Sequence, residues 1–376
     1  MADRSTHHTV AFLVAAIMCF IALLAAMIYL VSPVRASEPV HEPSQETEAY
    51  CLSCHASSDL SITLPSGETL SLYVSSDVLA HSVHSPAGIE CEACHTDIKT
   101  YPHPDLEYAS KRELSRAYYQ ACWKCHSDKY TQTLDSIHDQ VALEGNLDAP
   151  VCTDCHGAHN VQPPAEPRAK ISETCGHCHT QIFQEYASSI HGSALIQENN
   201  PDVPVCTDCH GVHNIHDPRT AQFRVETPDL CASCHANQDL MDKYGLSADV
   251  YNLYRTSWHG VDITVYEAKW PTIWHTSAIC TDCHGVHNIL PPQDPGSTVN
   301  PKNLLATCQQ CHPNAGPNWT SAWTGHNKIS LQSTPFLFYV DAFYSSLTPT
   351  VLWLCVIYVV LQIIHSIVER VRSSLP

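Results

Sequence analysis

Two uninterrupted apolar runs bracket a long stretch in which hydrophobic residues come in short clusters. The first, Thr9 to Val31, carries no charge in 23 positions and is long enough to cross a bilayer as a helix. It exceeds the core of about 7–15 residues usual in a secretory signal, so it reads as a retained anchor, with cleavage near Val34-Arg35-Ala36 as the alternative. Either way it exports the chain downstream of it. The second run, Thr348 to Ile367, is closed by Glu369, Arg370 and Arg372. Basic residues favour the cytoplasmic side, so Arg4, Arg370 and Arg372 put both ends inside and the middle outside. The expected divisions are an anchor or signal segment (1–36), an exported region (37–334), an interfacial segment (335–347) and a C-terminal transmembrane helix (348–376). The aromatic stretch Phe336 to Tyr344 reads either as an interface with a partner or as a plain lead-in to the second span.

Within the exported region the periodicity is sparse. Thr180 to Ser189 places Ile182, Phe183 and Tyr186 at helical spacing. Ser66-Gly67-Glu68 reads as a hairpin turn between short alternating runs. Pro163-Pro164, Pro167 and Pro291-Pro292 punctuate the rest. The fold class expected is mainly α and coil with little β, and too loop-rich to bury a conventional core.

Composition then narrows the chemistry. Apolar residues make up 44% of the chain, which argues against disorder. A net charge of −19 repels phosphate backbones and excludes nucleic-acid binding. Of 20 Cys, all but Cys19 and Cys355 fall in nine copies of C-x-x-C-H. The pairs are Cys51 and Cys54, Cys91 and Cys94, Cys122 and Cys125, Cys152 and Cys155, Cys175 and Cys178, Cys206 and Cys209, Cys231 and Cys234, Cys280 and Cys283, and Cys308 and Cys311. Neither a disulfide framework nor a zinc ribbon needs a His after every second Cys. Covalent haem c does: two thiols bond the porphyrin and the next His ligates its iron. Nine haem c groups are expected, and the porphyrins would fill the interior.

The motifs repeat in pairs. Segments 122–161, 175–215 and 231–289 each run from a first motif through S-x-H to a second motif extended as C-H-G-x-H-N. A more divergent copy occupies about 50–110, and 308–326 is a half copy with the last haem. The architecture expected is a haem-cored array of two-haem modules flanked by two transmembrane helices.

Counting imidazoles assigns the irons. The proximal ligands are His55, His95, His126, His156, His179, His210, His235, His284 and His312. The S-x-H positions give His84, His138, His191 and His259, with His326 in the matching place of the half copy. Those after the second motif give His103, His159, His213 and His287, of which His103 departs from the others in spacing. That is one distal ligand per haem. His41, His81, His177, His216 and His275 remain as ordinary surface residues. His365, near the inner end of the second span, reads as an interfacial His, or else as a ligand of a b-type haem or a quinone contact. Three residues span roughly 10 Å at full extension, too short a turn to place His210 and His213 on opposite sides of one iron, so His213 is expected to serve a different haem. All-His ligation leaves no vacant position for a substrate and gives lower potentials than Met/His ligation.

The S-x-H-G helix, C-T-D-C-H-G-x-H-N and the segment L-S-L-Y-V-S-S-D-V-L-A-H-S-V-H resemble those of membrane-associated multihaem c-type cytochromes of anaerobically respiring bacteria, over roughly Tyr50 to Ile329. The resemblance implies bis-His haems in stacked and T-shaped contacts, passing electrons between a quinol-linked membrane partner and periplasmic carriers at the inner membrane. In related systems that partner is a membrane cytochrome b; with a single C-terminal span here, any quinol site lies largely in another subunit. The single-anchor tetrahaem quinol dehydrogenases match less well, since they lack the second span. The expectation is an electron carrier with no catalytic residue of its own. The alternatives are a multihaem reductase of nitrite, hydroxylamine or a sulfur oxyanion, which needs one open-site haem, and a structural link in a larger respiratory assembly.

Overall fold

The computed structural model describes residues 45–105, 107–163, 166–269, 277–322, 326, 328–332 and 334–373. The first apolar run, with His7, His8, His41 and His275, lies outside the described residues. Short helices joined by turns make up most of the described chain. Its one sheet is the hairpin Ser61–Thr63 with Thr69–Ser71, paired antiparallel with Ile62 opposite Leu70. Gly67, at φ 86°, supplies the left-handed residue that closes the turn.

Buried apolar side chains form only small clusters. Tyr186, Leu195 and Val205 make one, flanked by Ile171, Phe183 and Val203; Val225, Ile263 and Ile279 make another. Each pins a motif helix to its neighbours and leaves the motif side chains outside it.

Helices start where sequence chemistry dictates. The serine of S-x-H caps the helix that carries the His: Ser136 Oγ accepts from His138 N, Ser189 Oγ from Gly192 N and Ser257 Oγ from Gly260 N. The imidazole is therefore fixed in a first helical turn. In Cys152–His156, Cys206–His210 and Cys280–His284 the Asp of C-T-D-C-H accepts the N–H of the preceding residue, at 2.6, 2.7 and 2.8 Å. These helices stop at Gly157, Gly211 and Gly285, all at positive φ.

The sequence places a boundary between an interfacial segment (335–347) and a separate helix (348–376). In the structure one helix runs from Pro335 to Ser373 through both. Pro349 is accommodated within it, and Thr350 Oγ1 and Ser346 Oγ donate to the Ser346 and Ala342 carbonyls nearby. Its 39 residues extend about 58 Å at 1.5 Å per residue. It is long and apolar enough to cross a membrane, and none of its described side chains is buried.

Candidate haem sites

Each C-x-x-C-H forms a single turn in which the His N–H returns to the carbonyl of the first Cys, at 2.9 Å for His95, His126, His179 and His312. Residues three and four apart share a helix face, so both sulfurs and the imidazole lie on one side. A porphyrin edge and its iron need that arrangement.

Every proximal imidazole faces one further imidazole. The pairs are His55 with His103, His84 with His126, His95 with His159, His138 with His179, His156 with His213, His191 with His235, His210 with His287, His259 with His312, and His284 with His326. Ring centroids are 6.1 to 6.3 Å apart in all nine. Two imidazoles trans across one metal, with metal–nitrogen bonds of about 2.0 Å, have centroids about 6.3 Å apart. The spacing is too wide for direct stacking and fits an iron between the rings. Among the described residues no three or more His, Cys, Asp or Glu side chains gather as a bare metal ion requires. Donors in twos suit a macrocycle that already supplies the equatorial ligands.

Electrostatics agree with that donor set. Burial holds the His95, His138, His156, His159, His210, His213, His284, His287 and His326 imidazoles below the ordinary histidine range. For His191 burial, reinforced by His235, lowers the value to about 4. Desolvation disfavours the imidazolium and leaves the neutral, ligating form. Buried Arg116 Nη1, Thr153 Oγ1, Arg168 Nε and His326 Nδ1 find no hydrogen-bond partner in the protein.

The pairing crosses the segment boundaries drawn from the sequence. Each S-x-H imidazole reaches forward to the first motif of the next segment: His84 to His126, His138 to His179, His191 to His235 and His259 to His312. The imidazoles after C-H-G reach back to the second motif of the previous segment: His159 to His95, His213 to His156 and His287 to His210. His103 returns to His55 within the first segment. His326 also reaches back, to His284, so it acts in the second class and not with the S-x-H residues whose place it holds in the sequence. A backbone bond accompanies the exchange. The residue between Ser and His donates to the carbonyl that follows H-N in the next segment: Val83 to Val161, Ile137 to Ile215 and Ile190 to Ile289, at 2.9, 2.9 and 2.8 Å.

The sites therefore follow one another in sequence order, and we number them one to nine. Within segments the first Cys of the two motifs lie near one another, Cys122 and Cys152, Cys175 and Cys206, and Cys231 and Cys280. Across boundaries Cys94 lies near Cys122, Cys155 near Cys178, Cys209 near Cys231 and Cys283 near Cys308. The helix Gln45–His55 packs on Cys91–Cys94 and joins sites one and two.

One set of residues escapes the motif reading. Arg112, Arg168 and Arg224 each bind the Asp of the same segment's C-T-D-C-H: Asp154 at 2.7 Å, Asp208, and Asp282 at 2.7 Å. Arg224 does so through two nitrogens and adds a bond to Ser277 O at 2.9 Å. Each clamp ties the approach to a first motif onto the second. Its signal was an Arg seven to ten residues before the first Cys. Among unpaired histidines, His81 is exposed and lies on Asp77 O, His177 is exposed, and His365 is exposed on the long helix.

Serial C-x-x-C-H turns carrying paired imidazoles are the arrangement by which multihaem c-type cytochromes hold haem c covalently. The doubled CXXCH motif family matches residues 145–183 and 200–240, each match joining the second motif of one segment to the first of the next. The chain is 26% identical over 195 residues to the multiheme cytochrome MtrA of Shewanella baltica (strain OS185), covering 50% of this chain and 52% of that protein. It is 28% identical over 148 residues to the cytochrome c-type protein NrfB of Escherichia coli O6:H1, covering 34% of this chain and 75% of that protein. The match thus spans about half the length of the first relative. No solved structure matches the chain significantly.

Proposed function

We propose that the chain is a nine-haem electron conduit in which every iron is held by two imidazoles of the polypeptide, and that it serves as a membrane-bound subunit between a quinone-reacting membrane partner and periplasmic redox carriers. The nine imidazole pairs in one sequence-ordered file carry this reading. Bound haem c supplies one-electron redox chemistry at each site. The polypeptide does the rest. Its paired imidazoles would hold each iron from both sides and leave no position for a substrate. Its adjoining motif turns keep consecutive sites adjacent, and its helix Pro335–Ser373 provides the anchor. The reductase alternative requires an iron with one axial position open, and each proximal imidazole here faces a second. The partner is proposed as a b-type cytochrome or another quinone-reacting protein, because among the described residues the single long apolar helix Pro335–Ser373 forms no helical bundle in which to build a quinol site.

Two measurements test the reading. Haem analysis and spectroscopy of the purified chain should give nine haem c, all low-spin in the ferric state. A high-spin ferric centre would sink the fully coordinated conduit. Purification from native membrane should bring down a redox-active membrane subunit; recovery as a lone chain, with no loss of membrane electron flow on deletion, would sink the proposed placement.

A further inference from the structure

The long helix Pro335–Ser373 is polar along one face only. Between Val351 and Glu369 its polar residues Cys355, Tyr358, Gln362, His365, Ser366 and Glu369 fall at helical spacing. At about 100° per residue they share roughly a 100° arc of the surface. The remaining residues of that stretch are Val, Ile and Leu, with Trp353. Gln362 Nε2 donates to Tyr358 Oη at 3.3 Å, so two of the polar groups already meet along the face. Tyr358, Gln362 and Ser366 line a shallow groove there. None of the described side chains of the helix is buried. Amide and imidazole groups facing hydrocarbon are costly, and in membranes such a face turns toward another helix.

The sequence of the first apolar run, outside the described residues, holds the complement. Ala11, Ala15, Cys19, Ala22 and Ala26 recur at spacings of three and four. On a helix that places them within roughly an 80° arc, and small residues in such a row let a second helix approach closely. With both ends inside, as their basic residues favour, the two runs cross in opposite directions. Laid antiparallel with Cys19 beside Cys355, the first run brings Ala15 to Tyr358 and Ala11 to Gln362, small against large at each level. The same register brings Arg4 to Glu369 and Asp3 to the level of Arg370, with opposite charges at both. A second copy of the long helix would instead lie parallel and set Glu369 against Glu369, a like-charge contact.

We infer that the first apolar run is retained and packs, antiparallel, on the face of the long helix marked by Cys355, Tyr358, Gln362 and Glu369. The chain's own first span thereby shields that polar face from lipid. Both spans are tethered to one haem-bearing region, so their meeting is intramolecular and needs no second subunit. This rests on the membrane placement proposed above and not on the haem count.

Once the motif thiols are tied up as thioethers, Cys19 and Cys355 are the thiols left in the chain. The test treats the full haem-loaded chain in native membranes with copper phenanthroline and oxygen, which remove an electron pair and both thiol protons from neighbouring thiols. The expected product is a Cys19–Cys355 disulfide in chains of monomeric mobility, found as a linked peptide by mass spectrometry and lost in Cys355→Ser. Ala15→Leu, which thickens the small face, should lower its yield about tenfold, whereas Ile17→Leu on the opposite side should leave it unchanged. A bond only between Cys355 of two copies, a crosslink only to another subunit, or a mature chain lacking the first run overturns the inference. So does the absence of the bond in chains that resist alkaline extraction, a result that leaves the membrane placement standing. A chain released by alkali refutes that placement and the inference with it.

Discussion

His213 faces His156 at 6.1 Å between ring centroids, although His210 stands three residues from it in the chain. His210 itself faces His287. The Gly211 turn directs two nearby imidazoles onto sites in different segments, so under the proposed function neighbouring segments would hold one another's prosthetic groups. Removing one imidazole should be felt at a site encoded elsewhere in the chain.

His213→Met is expected to raise the potential of site four, where His156 is proximal, on the order of 100 mV. Site six should keep its potential and all nine thioether attachments should persist. A redox titration with all nine potentials unchanged would contradict the pairing.

His326→Ala should open one axial position beside His284, at site eight. The expected signature is a single high-spin ferric centre, with site nine still low-spin through His259 and His312. Exogenous imidazole should restore the low-spin spectrum.

Gly192 permits a close approach. A Cβ there would lie 1.9 Å from the Tyr186 carbonyl oxygen. Gly192→Ala must push the His191 helix outward at a cost of about 1–3 kcal/mol. Loss of low-spin ligation at site seven, where His235 is proximal, should accompany a lowered Tm.

Ile190 occupies the first position of its helix, where proline is tolerated. Its predecessor Ser189 is already extended, at ψ 167°. Ile190→Pro thus removes little except the N–H that binds Ile289 O, and should cost about 1 kcal/mol. Faster amide exchange confined to the joint between the third and fourth segments would show it.

Arg224→Ala removes a two-pronged clamp on Asp282 whose side chains are 22% and 33% exposed. A loss of about 1–3 kcal/mol is expected in thermal unfolding. Arg224→Lys should recover only part of it, because a single ammonium cannot reproduce the fork.

The covalent chemistry could be read directly from the residues, because attachment is local: two thiols and an imidazole within five residues define a haem site wherever the chain goes. The candidate distal ligands were legible too, since S-x-H caps its own helix and C-H-G-x-H turns on a glycine. The sequence also announced the short helix after Cys178 and the hairpin at Gly67. The Arg–Asp clamps were harder to read: an Arg recurs before each first Cys, but its Asp partner lies 42, 40 or 58 residues away.

By itself, then, the sequence determined which residues can bond a porphyrin and which imidazoles are available to an iron. Only the tertiary structure decided which imidazole meets which. His84 could in principle serve several irons, and the choice of the one beside His126 depends on a backbone bond from Val83 to Val161, 78 residues away in the chain. The pairings depend on the packing of whole segments, an outcome that no short motif encodes.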